Sequence, residues 1–295
     1  MFRVDKKEFF AEFLGTLVLM VFGLAVNAQV NLGDQQYGTY LSINLGWGLA
    51  VVFGVYVAGG VTGAHINPAV TLALAVNREF PWSKVLPYMA AQFMGAFLAS
   101  ALIYVVYLEA IDAYEIARAQ EIVVQESIEE SSDEATQVMA VTAEDPPPRT
   151  LKTAGIWATY PRQFSTRRWI SNWSGFLDQV VGTALLLLCI CALTDERNMA
   201  PKSNLAPLLI GAVVLMIGMS MGANCAYAIN PARDFSPRLF TWLAGWGGQV
   251  FRSPNTTWYL IPIMGPFLGG IIGVQLYRLM ISRWHLEDQS ESADS

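Results

Sequence analysis

Charge is what this chain has little of: Asp, Glu, Lys and Arg make up 14% of its 295 residues, where a soluble globular domain carries roughly 25%. Histidine is scarcer still, with only His65 and His285. The three cysteines, Cys189, Cys191 and Cys225, have no metal-ligand spacing and are read as small buried hydrophobes. These shortages exclude most chemistry. There is no HExxH, no Ser/His/Asp set and no Cys/His cluster, so neither an enzyme nor a bound cofactor or metal is expected. A formal net charge of -6 without a basic groove argues against a nucleic-acid partner.

Hydrophobic residues are abundant instead, at 54%, and they fall into nearly charge-free blocks long enough to cross about 30 Å of hydrocarbon as helix. Spans are expected near Phe9 to Ala28, Leu41 to Ala58, Val85 to Tyr107, Gly175 to Leu193, Leu205 to Met221 and Trp258 to Ile281. The first carries Glu12 and no convincing small-residue cleavage site, so it is kept as a helix and not a signal peptide. An even number of spans puts both termini on one side. Lys6 and Lys7, Arg78 and Lys84, Arg197 and Lys202, and Arg278 and Arg283 share that side, which the charge rule makes cytoplasmic. Arg162, Arg167 and Arg168 fall on the other side, in a long connection where the rule weakens.

The expected organisation is a cytoplasmic N-terminus (1–8), a three-span unit (9–107), an extracellular connection (108–174), a second three-span unit (175–281) and a cytoplasmic disordered tail (282–295). Within the connection, Glu115 to Asp145 holds nine acidic residues against a single Arg118. That composition predicts a mobile, solvated stretch, with room for a helical extension after Tyr107. Asn172 and Asn255 stand in sequons on the outer side and are candidates for N-glycosylation, Asn172 lying close to the membrane.

The two units repeat one another. Asn67-Pro68-Ala69 comes 55 residues after Glu12, and Asn230-Pro231-Ala232 comes 51 residues after Gln179; Thr16 and Thr183 follow Glu12 and Gln179 by four. Because three spans is an odd number, the second copy must insert upside down relative to the first. Each motif opens an apolar segment too short to span, Pro68 to Val76 and Pro231 to Leu243, and proline suits the first turn of a helix. Two half-helices therefore enter the membrane from loops, which is tolerated only where the backbone is buried in protein or lines a wet cavity. Inversion brings their positive ends together near the midplane, unfavourable to protons and cations. Asn67 and Asn230 are the expected donors to a passing oxygen, with carbonyls of Gly63, Ala64 and His65 and of Ala226, Tyr227 and Ala228 as acceptors.

These motifs resemble those of the major intrinsic proteins over the whole chain outside the acidic insert and tail. Thr62-Gly63-Ala64-His65-Ile66-Asn67-Pro68-Ala69 resembles the family's first loop, and Asn230-Pro231-Ala232-Arg233-Asp234 its second. Asp234, together with Leu243 to Gly247 and Ala158-Thr159-Tyr160-Pro161, resembles the glycerol-conducting branch, the aquaglyceroporins. The resemblance implies an all-α, aquaporin-like membrane fold of six transmembrane helices and two re-entrant half-helices. It implies a passive pore for glycerol, small uncharged polyols and water, with urea a further candidate, built as a homotetramer in the cell membrane and excluding ions and protons. The selectivity filter maps onto Trp47, Gly218, Tyr227 and Arg233. Trp47 and Tyr227 would make an apolar corner for the carbon backbone, and Arg233 a polar edge for hydroxyls. Gly218 stands where water-only members carry His, so a wider opening is expected, while the Tyr227 hydroxyl shifts the balance towards water.

His65 is placed beside the pore, and Glu12 is expected to brace the first loop. The family usually carries Glu at its second-repeat counterpart; here Gln179 stands there beside Asp178, which puts the symmetry of the support in doubt, although Gln can still accept from backbone donors. Gly95 and Gly182 fit close helix crossings. A water-selective pore is the main alternative, and it turns on Gly218 and Asp234. An ion-coupled secondary transporter would need a convergent acidic cluster that the spans do not offer.

Overall fold

The computed structural model describes residues 5–130, 148–165 and 168–285. The first unit consists of α1 (Lys6–Leu32), α2 (Tyr40–Thr62), the short α3 (Pro68–Val76) and α4 (Trp82–Glu130). A connection follows, with α5 (Leu151–Ala154) and a two-stranded antiparallel hairpin of β1 (Gln163–Ser165) and β2 (Arg168–Trp169). The second unit consists of α6 (Asn172–Thr194), α7 (Ala206–Met221), the short α8 (Pro231–Thr241), α9 (Gln249–Arg252) and α10 (Ile261–Tyr277), the last continuing in wider turns to Ser282. Five of these are long and apolar enough to cross a membrane; α7, at 16 residues, is shorter.

Packing repeats with the sequence. α1 lies against α2 and α4, as α6 lies against α7 and α10. Each half-helix crosses over to the other unit: α3 packs on α10 and α8 on α4. Exposed Phe10, Phe22, Phe53, Leu98, Leu185 and Leu268 stud the outer faces, the pattern of a chain whose solvent there is hydrocarbon. At the crossing of α1 and α4 a Cβ on Gly95 would stand 2.5 Å from the Phe13 carbonyl. In the second unit the tight crossing belongs to Gly269 and Gly273, which touch the backbone of Val180 and Ala184. Gly182 faces only side chains, the nearest 3.3 Å away, so the closest approach there is made by two glycines of α10.

The connection starts with the helical extension allowed for after Tyr107, and that helix runs further than a mobile stretch from Glu115 would let it. Helix α4 runs 49 residues, about 73 Å at 1.5 Å per residue, and continues through Glu115 into the stretch expected to be mobile. Its acidic residues are interleaved with Ala, Ile and Gln, and no glycine or proline occurs from Ala96 to Asp145, so local propensity favours helix. Ile111 and Glu115 are buried, and Glu115 Oε1 accepts from Thr150 N at 2.8 Å and Thr150 Oγ1 at 3.0 Å. The remainder of the acidic stretch from 131 to 147, Arg167 and the tail from 286 lie outside the described residues.

Candidate functional site

Between the units lies a cavity of about 500 Å³. At one end it is bordered by Trp47, Tyr227 and Arg233; at the other by Glu79, Asp195, Arg197, Arg278 and Ser282. Its middle is lined by the two loops that precede the half-helices, Gly63 to Asn67 and Tyr227 to Asn230. Both loops bend through left-handed backbone at residues with side chains: Ala64 (φ 55) and Ile66 (φ 42) in one, Ala226 (φ 56) and Ile229 (φ 43) in the other. A β-branched residue at positive φ is an outlier, and such strain persists only where surroundings over-determine the backbone.

Those surroundings start with the motif asparagines. Asn67 Oδ1 accepts from Ala69 N at 2.9 Å, and Asn230 Oδ1 from Ala232 N at 3.0 Å and Arg233 N at 3.3 Å, so each caps its own half-helix. Pro68 and Pro231 occupy the first helical positions, and Ala69 and Ala232 are buried where the half-helices meet. Each amide nitrogen then reaches across the pseudo-symmetry: Asn67 Nδ2 donates to the Ile229 carbonyl at 2.8 Å, and Asn230 Nδ2 to the Ile66 carbonyl at 2.9 Å. One amide hydrogen of each is thereby committed, leaving one for the lumen.

Support behind the loops is asymmetric. Glu12 receives four donors: Thr62 Oγ1 at 2.7 Å, His65 N at 2.9 Å, Ile66 N at 2.7 Å and Gln92 Nε2 at 2.7 Å. It braces loop N–H groups, not the carbonyls themselves. Gln179 does two jobs where Glu12 does one: its Oε1 accepts from Ile229 N at 3.0 Å, and its Nε2 donates to the Ala226 carbonyl at 2.9 Å. The departure from Glu is thus used, since only an amide can do both. It also removes Ala226 from the expected acceptor ladder, because that carbonyl is turned to Gln179; Ala228 and Tyr227 do border the cavity. Asp178 beside it takes Asn224 Nδ2 at 3.3 Å and Cys225 Sγ at 3.2 Å. His65 borders the cavity, with Nδ1 3.1 Å from Thr71 Oγ1 and its ring against Phe80 and Tyr88.

At the Trp47 end of the cavity Arg233, 7% exposed, lies with Cζ 4.2 Å from the Trp47 ring centroid. Its Nη1 donates to the Trp157 carbonyl at 2.8 Å. Trp47 is held in turn by Asn27, whose Oδ1 accepts from its Nε1 at 3.0 Å. Asp234 does not touch the cavity: its Oδ2 accepts from Thr159 N at 2.7 Å and Thr159 Oγ1 at 2.6 Å, and its Oδ1 from Arg238 Nε at 2.9 Å. It anchors the connection that delivers the Trp157 carbonyl to Arg233. At Gly218 the space left by the missing side chain is filled by the Tyr227 ring, which a Cβ there would strike. The glycine lets Tyr227 lie back against α7.

Sequence reasoning missed Arg238, Asn27 and Trp157. Arg238 is 0% exposed and donates to Asp234, to the Val250 carbonyl at 2.7 Å and to the Thr159 carbonyl at 2.7 Å. Its spacing of one turn after Asp234, on a half-helix expected to enter the membrane, was the available signal. Cys191, expected to be a buried hydrophobe, borders the cavity. The two sequon asparagines face each other: Asn255 Nδ2 donates to Asn172 Oδ1 at 2.9 Å, and Asn172 Nδ2 to Thr257 Oγ1 at 2.9 Å.

An inverted pair of helical units that crosses half-helices over a cavity through its centre defines a membrane channel. The Major intrinsic protein family matches residues 3–277, and the chain belongs to that family, whose members are channels and not enzymes. It is similar to human Aquaporin-9, 39% identical over 96% of this chain and 85% of that one, and to mouse Aquaporin-7, 40% identical over 90% and 78%. Aquaporin-10 of Milnesium tardigradum is 40% identical over 93% of this chain and 63% of its own length. Among solved structures, the aquaglyceroporin from Plasmodium falciparum superposes with a TM-score of 0.73 at 27% identity, covering 95% of this chain and 98% of that one.

Proposed function

We propose that this chain conducts glycerol, other small uncharged polyols and water passively, and excludes protons and ions. The observation that carries the reading is the outer constriction, where a guanidinium lies 4.2 Å from the centre of an indole ring with Tyr227 beside them. A solute there meets apolar ring surface on one side and charged donors on the other, which matches a polyol with a hydrocarbon edge and a hydroxyl edge. Arg233 keeps N–H groups for it beyond the one given to Trp157. Proton and cation exclusion is supported by the two half-helix N-termini meeting at Asn67 and Asn230, and by Arg233 itself.

The pore residues in this reading are Asn67 and Asn230 at the junction, Trp47, Tyr227, Gly218 and Arg233 at the filter, and the carbonyls of Gly63, Ala64, His65 and Ala228 along the wall. Glu12, Gln179 and Asp234 are supports. We place the chain in the cell membrane as a homotetramer with both termini cytoplasmic, which the Lys and Arg of the short connections support. Urea is a further candidate solute.

The test is light scattering from vesicles that contain the purified protein, after osmotic steps with sucrose and then glycerol, without an ion gradient. Fast shrinkage followed by fast reswelling in glycerol is the expected result. Water flow without reswelling would mean a water-selective pore, and uptake that needs an ion gradient would mean a coupled transporter.

A further inference from the structure

Behind the filter, on the face of Tyr227 turned away from the lumen, sits a second polar group that the pore does not use. Asn44 lies on α2, three residues before Trp47, and is 1% exposed; it faces the Tyr40 hydroxyl one turn earlier, but neither its Oδ1 nor its Nδ2 makes a hydrogen bond of good geometry. The Tyr227 hydroxyl, on a side chain 9% exposed, is likewise without a partner. The ring that carries the hydroxyl lies beside the amide: a Cβ on Gly218 would strike Tyr227 Cζ and stand 2.5 Å from Asn44 Oδ1. The neighbouring acceptor is already taken, because the Gly218 carbonyl receives the Tyr40 hydroxyl at 2.9 Å.

A buried amide left unsatisfied is costly, and native interiors resolve such groups with a protein partner or an ordered water. A water needs two to four polar partners, and the buried Asn44 amide and Tyr227 hydroxyl, neither of them partnered, can supply them.

We propose that Asn44 is a selectivity-determining positioning residue, which holds the Tyr227 hydroxyl away from the lumen through one buried water shared by the amide and the phenol. Resting on the glycerol-pore reading above, the proposal deepens it. With its hydroxyl engaged behind the filter, Tyr227 presents its ring carbons to the solute, so the corner it makes with Trp47 is apolar. Without Asn44, the hydroxyl turns to the lumen for a partner and the corner becomes polar, which favours water over glycerol. The absence of a side chain at Gly218 is what leaves the two groups in reach of each other.

The experiment is a double-mutant cycle in vesicles, with the ratio of glycerol to water permeability as readout for wild type, Asn44→Ala, Tyr227→Phe and the double variant. Asn44→Ala should lower the ratio by about fivefold, the size expected of one net hydrogen bond. The same change in the Tyr227→Phe background should leave the ratio where Tyr227→Phe alone sets it, because there is no hydroxyl to release. An equal fall in both backgrounds, or none in either, would overturn the proposal. If Asn44→Ala yields no water-conducting protein, Asn44→Ser, which keeps one hydrogen-bonding oxygen, decides: it should retain more of the wild-type ratio than Asn44→Val, and equal ratios would count against the proposal. A wild-type protein that passes water but not glycerol would instead defeat the glycerol reading, and this proposal with it.

Discussion

Asp234 and Arg238 form an ion pair one turn apart on α8 in which both side chains are 0% exposed, Arg238 Nε standing 2.9 Å from Asp234 Oδ1. Neither partner faces the cavity, yet the pair spreads outward to the Thr159 and Val250 carbonyls and fixes the connection whose Trp157 carbonyl meets Arg233. Breaking one partner of such a pair leaves an uncompensated buried charge, at about 3–5 kcal/mol. Arg238→Met should therefore lower the melting temperature in detergent and reduce glycerol flux per folded molecule. Retention of both at wild-type values would show that the pair does not position the filter.

Glu12 and Gln179 occupy matching places in the two units but are not interchangeable. All four groups hydrogen-bonded to Glu12 are donors, so Glu12→Gln would point amide hydrogens at some of them. Gln179→Glu would set a carboxylate oxygen against the Ala226 carbonyl, now reached at 2.9 Å by an N–H. Each change leaves buried groups unsatisfied, at about 1–3 kcal/mol apiece, and each should lower thermal stability and pore conductance. A Gln179→Glu protein as stable as wild type, measured by thermal unfolding in detergent, would mean that the second loop rearranges to suit a carboxylate.

Gly218 has no room for a side chain, since a Cβ would meet the Tyr227 ring and the Asn44 oxygen. Gly218→Val should push Tyr227 into the lumen and abolish glycerol reswelling more completely than water flow, because the narrower solute still passes. Overpacking of this kind costs about 1–3 kcal/mol, so the protein should still fold. Undiminished glycerol permeability in this variant would show that α7 yields and that Tyr227 does not set the width.

At the opposite mouth, Asp195 is held at a pKa of about 2, chiefly by its hydrogen bond from Arg197, with Tyr277 as a further donor. A depressed pKa leaves the group ionised, and its contribution intact, until pH falls through the folded value. Any change in permeability between pH 7 and pH 4, about two units above that value, therefore comes from another group. Burial pushes the Glu79 carboxyl at the same mouth upward, and the Asp195 charge adds to that shift, so Asp195→Asn should move any such profile to lower pH without abolishing it; a profile that disappears in this variant would contradict it.

Much of this was readable before any fold existed. Span positions follow from runs of apolar residues that must be helical in lipid, and α3 begins and ends where proline and the charged Arg78 segment say it should. The extension of α4 is less legible, because an acidic composition points to solvated chain while its Ala, Ile and Gln residues, with no glycine or proline to stop it, favour helix. Burial of Glu115 against Thr150, 35 residues away, tipped the balance.

By itself the sequence determined the spans, the duplicated Asn-Pro-Ala motifs and hence the inverted pairing, because these rest on local periodicity and on an odd number of crossings per unit. Tertiary structure alone decided how each asparagine divides its amide between its own half-helix and a carbonyl 162 or 164 residues away. It also decided that Arg233 meets Trp157, that Arg238 is buried, and that Tyr227 fills the space at Gly218 with Asn44 behind it. Those relationships depend on which backbone group arrives opposite which side chain once the two units close on each other, and no local spacing in the chain encodes that meeting.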